Sequence, residues 1–301
     1  MLKLDEKKIR KGKPIGLPYQ GSKKKISKKI VEIIKQNFGT DKPIYDIFGG
    51  GGAITAECVL NGLEVHYNDL DKDITNAFER VISQDREWIK TLIVSRDEFF
   101  EIKAKENKTT DDFLKLLVNS FGNDKKSYLY SKGVSDLKYN LAKEIIEKHD
   151  VFSGYTQTET YKRSIVKLLR LEQLERRQRF QQLEQLQQLQ QLQRLQQLQK
   201  LNKIKATNKS YHTFSDVSGA VLYLDPPYEG SHQKSYINSF DSQEFYDWAF
   251  EIAKTNIVII SSYSISDERF EVVYSFDKAH STLEGGTRND KCEKLFMVKN
   301  S

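Results

Sequence analysis

Cysteine is almost missing from this chain: Cys58 and Cys292 are the only two in 301 residues. So few cysteines rule out a disulfide framework and offer no zinc-ligand spacing, so a reducing cytoplasm is expected and no metal is. Long apolar runs are missing too. Nothing approaches the roughly eighteen consecutive apolar residues that a membrane-spanning helix needs, so no membrane partner is expected. The Lys-rich N-terminal stretch has no apolar segment behind it, so no secretory signal is expected. Proline is scarce, with five residues, and two of the five adjoin at Pro226 and Pro227. What remains is 38% hydrophobic and 30% charged, with a formal net charge of +6. That composition suits a soluble protein of one large domain or two modest ones. The positive balance permits an anionic partner without requiring one.

The proline pair marks the most informative stretch, Val221-Leu222-Tyr223-Leu224-Asp225-Pro226-Pro227-Tyr228. Four apolar or aromatic residues in a row predict a strand buried on both faces of a parallel sheet. Two prolines must end it, because neither donates a ladder hydrogen bond and both fix φ. A carboxylate and an aromatic ring are thereby left at the carboxyl end of a strand, where open α/β sheets bind ligands. The plain alternative is a proline-stiffened turn with Asp225 capping and Tyr228 packing. The chemical reading starts from an amino group conjugated to an aromatic ring, which is a poor nucleophile. Asp225 and the Pro226 carbonyl can accept its two N–H bonds, and Tyr228 can stack on a base turned out of a duplex.

A second stretch, Pro43 to Ala53, reads as strand, four-glycine turn and helix through Leu60. The glycines let backbone approach a ligand, although many nucleotide-binding folds share such a turn. The next strand, Leu63 to Asn68, ends in Asp69, about twenty residues past the glycines, the spacing at which a carboxylate reaches ribose hydroxyls. Asp69 as the N-cap of the following helix is the alternative. No Lys-Ser/Thr pair follows the glycines, so a phosphate-binding P-loop is not expected.

Eleven Lys or Arg residues lie between Lys3 and Lys29. They read equally as a solvated charged face or as phosphate contacts. Within them, Gly21 allows a tight backbone in Pro18-Tyr19-Gln20-Gly21-Ser22-Lys23, and Ser22 could cap the helix carrying Ile26, Ile30, Val31, Ile33 and Ile34. Residues 73–117 read as helical, with a polar loop from Lys103 to Asp112. Asn119 to Tyr130 reads as a turn and hairpin, exposing polar and aromatic side chains beside Lys125, Lys126 and Lys132. Leucine then recurs every third residue from Leu183 to Leu201 among glutamines. A period of three drifts about 60° per leucine around a helix and makes no single stripe. This segment is therefore expected to be an expanded linker or an added helix, so the protein's activity should survive removal of residues 183–198. Toward the C-terminus the chain predicts a loop over the site at Tyr236 to Asp241, a helix from Asp241 or Ser242, strands at 256–263 and 270–274, a polar loop from Ser281 to Lys294, and a closing strand from Lys294 to Val298.

These motifs, in this order, resemble the Dam-type, alpha-group DNA adenine-N6 methyltransferases, especially the bacteriophage and prophage versions. The stretch at 225–228 is similar to their DPPY motif, 18–23 to their first cofactor motif, and 46–52 to their glycine motif, with Asp69 at the place of the ribose-binding acid. Ser120 to Asn123 with Tyr128 and Tyr130 resembles their DNA-reading region, and Ser281-Thr282-Leu283 with Glu293-Lys294-Leu295-Phe296 their C-terminal end. The run Gly49 to Gly52 is richer in glycine than the family pattern, and the Leu/Gln insertion departs from it.

The resemblance implies an α/β fold: a Rossmann-like S-adenosylmethionine-dependent methyltransferase sheet, with a smaller, mainly helical DNA-recognition domain inserted. It implies a catalytic domain over 1–74 and 203–301, a recognition domain over 75–170, and a separate low-complexity segment over 171–202. It also implies S-adenosyl-L-methionine as methyl donor and double-stranded DNA as substrate, in a bacterial or phage-infected cytoplasm, with a monomer acting on DNA in restriction-modification or DNA adenine methylation. Asp225, Pro226, Pro227 and Tyr228 would be catalytic. Tyr19, Gly21, Lys23, Asp46, Phe48, Gly49, Gly51, Asp69 and Asp225 would hold the cofactor, and Asn123, Lys125, Lys126 and Tyr128 would contact DNA. The rivals are an RNA- or protein-directed methyltransferase and a catalytically silent DNA-binding protein that kept the fold. Protein-directed enzymes usually carry Asn where this chain has Asp225.

Overall fold

The structure is a computed structural model and describes residues 1–19, 21–172, 182–200, 204, 206–229, 240–276 and 292–299. The segments expected to form a loop at 236–239 and a loop at 281–291, including Ser281-Thr282-Leu283, lie outside them. The chain forms two compact units. One comprises Met1–Pro14, Lys23–Thr75 and Asn202–Ser301; the other comprises Ile15–Ser22 and Asn76–Leu201.

The first unit is built on a seven-stranded sheet: β1 (Ile44–Asp46), β2 (Val65–Asn68), β3 (Ala206–Thr207), β4 (Val221–Leu224), β5 (Ile257–Ser262), β6 (Phe270–Ser275) and β7 (Lys294–Val298). Their spatial order is β3-β2-β1-β4-β5-β7-β6. The first five strands run parallel to their neighbours, and β7 runs antiparallel between β5 and β6. The continuous apolar run of β4 follows from its position. Val221 and Tyr223 face a core layer that includes Ile30, Ile33 and Ile34 of α1 (Ser27–Phe38) and Ile54 of α2 (Ala53–Leu60). Leu222 and Leu224 face the other layer, with Phe245, Trp248 and Ala249 of α10 (Ser242–Ile252). Both faces are covered, so alternation in polarity disappears from the sequence. This is the Rossmann-like α/β sheet that the sequence implied.

Local signals mostly set the helix starts. Asp241 caps α10 by accepting from the Gln243 and Glu244 amides. Ser22 does not cap α1: a short 3-10 turn, Lys23–Lys25, intervenes, and the α1 N-cap position is Ile26 with no side-chain bond.

The second unit is mainly helical. Helix α3 (Lys72–Ser83) leads into it, and α4 (Arg86–Lys90), α5 (Arg96–Ala104), α6 (Thr110–Val118), α7 (Ser135–His149), α8 (Glu159–Glu172) and α9 (Glu184–Gln196) follow. The polar loop expected from Lys103 is shorter than predicted, because a Thr109–Asp112 capping box starts α6 at Thr110. The leucine repeat is corrected more deeply. Leu183, Leu186, Leu189, Leu192, Leu195 and Leu198 are all at most 1% exposed, so the segment is core and not an added linker. A spiral of leucines cannot fit one flat interface, but it does fit a helix surrounded by others, and α9 packs against α4, α6 and α7. Gln185 is buried with them, and its amide nitrogen donates to the Val94 carbonyl at 3.1 Å and to Asn119 Oδ1 at 2.6 Å.

Candidate active site

Two adjacent strands, β1 and β4, sit where the strand order reverses direction, and the carboxyl ends of strands at such a point are where open α/β sheets bind ligands. Asp46 closes β1, Asp69 follows β2 and Asp225 follows β4, so three carboxylates share one end of the sheet. Asp46 is buried and uses Oδ2 to accept from the Thr55 amide at 3.1 Å and the Thr55 hydroxyl at 2.6 Å, which fixes the first turn of α2. Burial, with repulsion from Asp225 and Asp69, pushes its pKa up to about 7.

Asp69 accepts from the Gly50 amide at 2.7 Å and the Asp71 amide at 2.8 Å. Burial pushes it up to about 6 against those two bonds. Asp69 does not cap the next helix: Asp71 does, accepting from the Asp73 and Ile74 amides. The glycine turn is pinned to β2 through the Gly49 amide, which donates to the Asn68 carbonyl at 2.8 Å. A Cβ on Gly49 would run into the Tyr67 ring, so this glycine is required by packing as well as by the turn. Gly52 opens α2 in the left-handed region at φ 70°, and Gly51 is buried beside it. Phe48 lies half-buried against Phe245 and Tyr211.

Around Asp225 the geometry is tighter. The Lys23 ammonium lies 2.8 Å from Asp225 Oδ2 and 3.9 Å from Glu293 Oε1. It also donates to the Tyr228 hydroxyl at 2.6 Å. That hydroxyl lies 2.6 Å from Glu293 Oε1 and 3.1 Å from Asp225 Oδ1, and Ser261 donates to the same Glu293 oxygen at 2.7 Å. Tyr263 packs edge-on against the Tyr228 ring, with centroids 4.7 Å apart. Burial works to lower the Lys23 pKa, but Asp225 and Glu293 outweigh it and hold the ammonium charged. Burial pushes the Asp225 carboxyl up, with Lys23 pulling against it. Burial, then Asp225 and Glu293, push the Tyr228 phenol far up, so it keeps its proton.

S-adenosyl-L-methionine carries a ribose diol that needs acceptors and a sulfonium that needs negative charge. Asp69 and Asp225, on one end of the sheet, are acceptors of the kind both groups need, while buried Asp46 is engaged by Thr55. Among the described residues, no group of three or more His, Cys, Asp or Glu forms a metal site.

Lys23, Asp46, Phe48, Gly49, Gly51, Asp69, Pro226, Pro227, Asp225 and Tyr228 all belong to the first unit, and Tyr19 and Gly21 belong to the second. The sequence did not mark Glu293, Ser261 or Tyr263 as site residues. Glu293 stood only in a C-terminal strand motif, and its arrival at Tyr228 depends on β7 pairing with β5, which no local signal encodes.

Two residues expected to contact DNA are held by the second unit's own structure. Tyr128 is buried in the second unit's core, with its hydroxyl on the Val94 carbonyl at 2.8 Å. Its bridge partner is Ser120. The Asn123 amide nitrogen is held by the Leu117 carbonyl at 2.9 Å and so supports the turn. Lys125 lies over the Phe113 ring at 4.4 Å, whereas Lys126 is exposed. An open groove is lined by Arg96, Phe100, Phe121, Lys126, Tyr128 and Tyr130, with Phe100 39% and Phe121 52% exposed and both tyrosines buried in its wall.

No curated protein sequence matches the chain. Among solved structures, an rRNA methyltransferase, aviRa from Streptomyces viridochromogenes, is similar at 9% identity and a TM-score of 0.36, over 90% of this chain and 84% of that one. The family model described as D12 class N6 adenine-specific DNA methyltransferase matches residues 19–284, most of the chain. The chain therefore belongs to the D12 class N6 adenine-specific DNA methyltransferases, enzymes that take the methyl group from S-adenosyl-L-methionine.

Proposed function

We propose that the protein methylates N6 of an adenine in a fixed sequence context of double-stranded DNA, with the target base turned out of the helix. The observation that carries this reading is Asp225, set at the carboxyl end of β4 with Tyr228 three residues on and Lys23 on its second oxygen. Asp225 and the Pro226 carbonyl take the two amino protons and align the nitrogen lone pair. Pro227 keeps the turn rigid, and Tyr228 stacks on the base. Bound S-adenosyl-L-methionine supplies an electrophilic methyl carbon. The N6–C bond forms as the S–C bond breaks, and the nitrogen gives one proton to the Asp225 carboxylate, from which it passes to solvent. Asp69 and the glycine turn hold the ribose side, with Asp46 fixing the turn through α2. Proximity and alignment account for much of the rate, with no covalent enzyme intermediate.

The domain roles follow: the first unit binds cofactor and catalyses, and the second reads DNA. Phe121, Phe100, Arg96 and Lys126 are the foremost DNA-contacting side chains, because two exposed rings and two cations line one groove, with Tyr128 in its wall. The enzyme works as a monomer on DNA in a reducing cytoplasm. No helix among the described residues is long and apolar enough to cross a membrane.

Base-resolution sequencing of DNA from cells expressing the protein tests the reading. The expected result is N6-methyladenine in one short motif. Methylation at scattered adenines, or only in RNA, would overturn it.

A further inference from the structure

Glu293 lies 65 positions beyond Tyr228 in sequence and touches its phenol. The phenol has one proton and, among the described residues, two carboxylate neighbours. Glu293 at 2.6 Å is within the range of a short, charge-assisted O–H bond, and Asp225 at 3.1 Å is at its limit. The proton therefore goes to Glu293. Lys23 donates to the same hydroxyl, so the phenol oxygen already accepts a bond and its proton has little freedom to rotate. Ser261 donates to the same Glu293 oxygen, which fixes the acceptor in turn.

We propose that Glu293 is a positioning residue: by taking the Tyr228 phenol proton it keeps Asp225 Oδ1 open for the amino group of the target base and fixes the ring on which that base stacks. The inference rests on the roles proposed above for Asp225 and Tyr228. Without Glu293 the phenol turns its proton to Asp225 and competes with the substrate for that oxygen. The β6–β7 hairpin thus does more than close the sheet: it delivers the residue that decides where one proton points.

The test is a double-mutant cycle in single-turnover methyl transfer to DNA at saturating cofactor. Glu293→Ala should lower the rate by about tenfold, the worth of a hydrogen bond. The affinity for S-adenosyl-L-methionine should stay unchanged. Glu293→Gln keeps an acceptor oxygen and the side-chain shape, so it should recover most of the rate and guards against a folding defect. Once Tyr228→Phe removes the competing proton, adding Glu293→Ala should cost less than about twofold. Equal losses from Glu293→Ala in both backgrounds, a Gln variant no better than the Ala variant, or lost cofactor binding would each overturn the inference while leaving the functional reading intact. A wild-type protein that transfers no methyl group to DNA would overturn the functional reading and this inference with it.

Discussion

Asp69 holds the glycine turn and, in the proposed function, the cofactor ribose as well, and substitution separates the two. Its oxygens accept from the Gly50 and Asp71 amides, and each oxygen retains a lone pair for a ribose hydroxyl. Asp69→Ala should weaken S-adenosyl-L-methionine binding by about 1.5–3 kcal/mol, the range for a hydrogen bond to a charged group. Unchanged affinity by calorimetry would remove Asp69 from the ribose site. Asp69→Asn tests the electrostatics. The Asp46 and Asp69 pKa values are pushed from 3.8 up to about 7 and about 6, so between these limits the folded state binds more protons than the unfolded chain. The stability these two groups contribute to the free protein should therefore be greatest near the low end and fall as pH rises from about 4 to about 7. Urea unfolding should show a shallower fall for Asp69→Asn, and an unchanged slope would contradict the assignment. Asp225, Asp69 and the glycines were readable in the sequence because strand-end acids and glycine turns are local signals. Glu293 was not, because its role depends on a long-range strand pairing. Tyr128 was misread because a tyrosine in a turn looks the same in sequence whether its ring points in or out.

At the scale of elements, β4 and α9 teach opposite lessons. The β4 run was legible because burial on both faces leaves a continuous apolar string, and the proline pair marks its end. Helix α9 was misjudged by an argument that assumed one packing face. Its leucines advance around the helix and meet three neighbouring helices in turn, so the same period that argues against a coiled coil suits a central helix. Removing residues 183–198 should therefore unfold the second unit. Leu189→Ala, at a fully buried position, should cost about 2–5 kcal/mol in denaturant unfolding. A cost below about 1 kcal/mol would return the helix to the status of an added segment.

For the whole molecule, the net charge of +6 says that an anionic partner is tolerated, and the distribution of cations says where to look. In the second unit, Arg96 and exposed Lys126 line the groove that also displays Phe100 and Phe121. Lys126→Ala should weaken binding to all DNA sequences alike and lower the slope of log K against log salt by about 0.9, with the methylated motif unchanged. An unchanged slope would move the phosphate contacts elsewhere.

In the proposed reaction Asp225 activates an adenine amino group. The most direct test is labelled methyl transfer to duplex DNA by Asp225→Ala beside the wild type, with folding and cofactor affinity checked on the same samples. The wild type should yield N6-methyladenine. The folded variant should fall by roughly a hundredfold or more, because a main acceptor for the amino group is gone. Near-normal transfer by a folded, cofactor-competent Asp225→Ala protein would contradict the account.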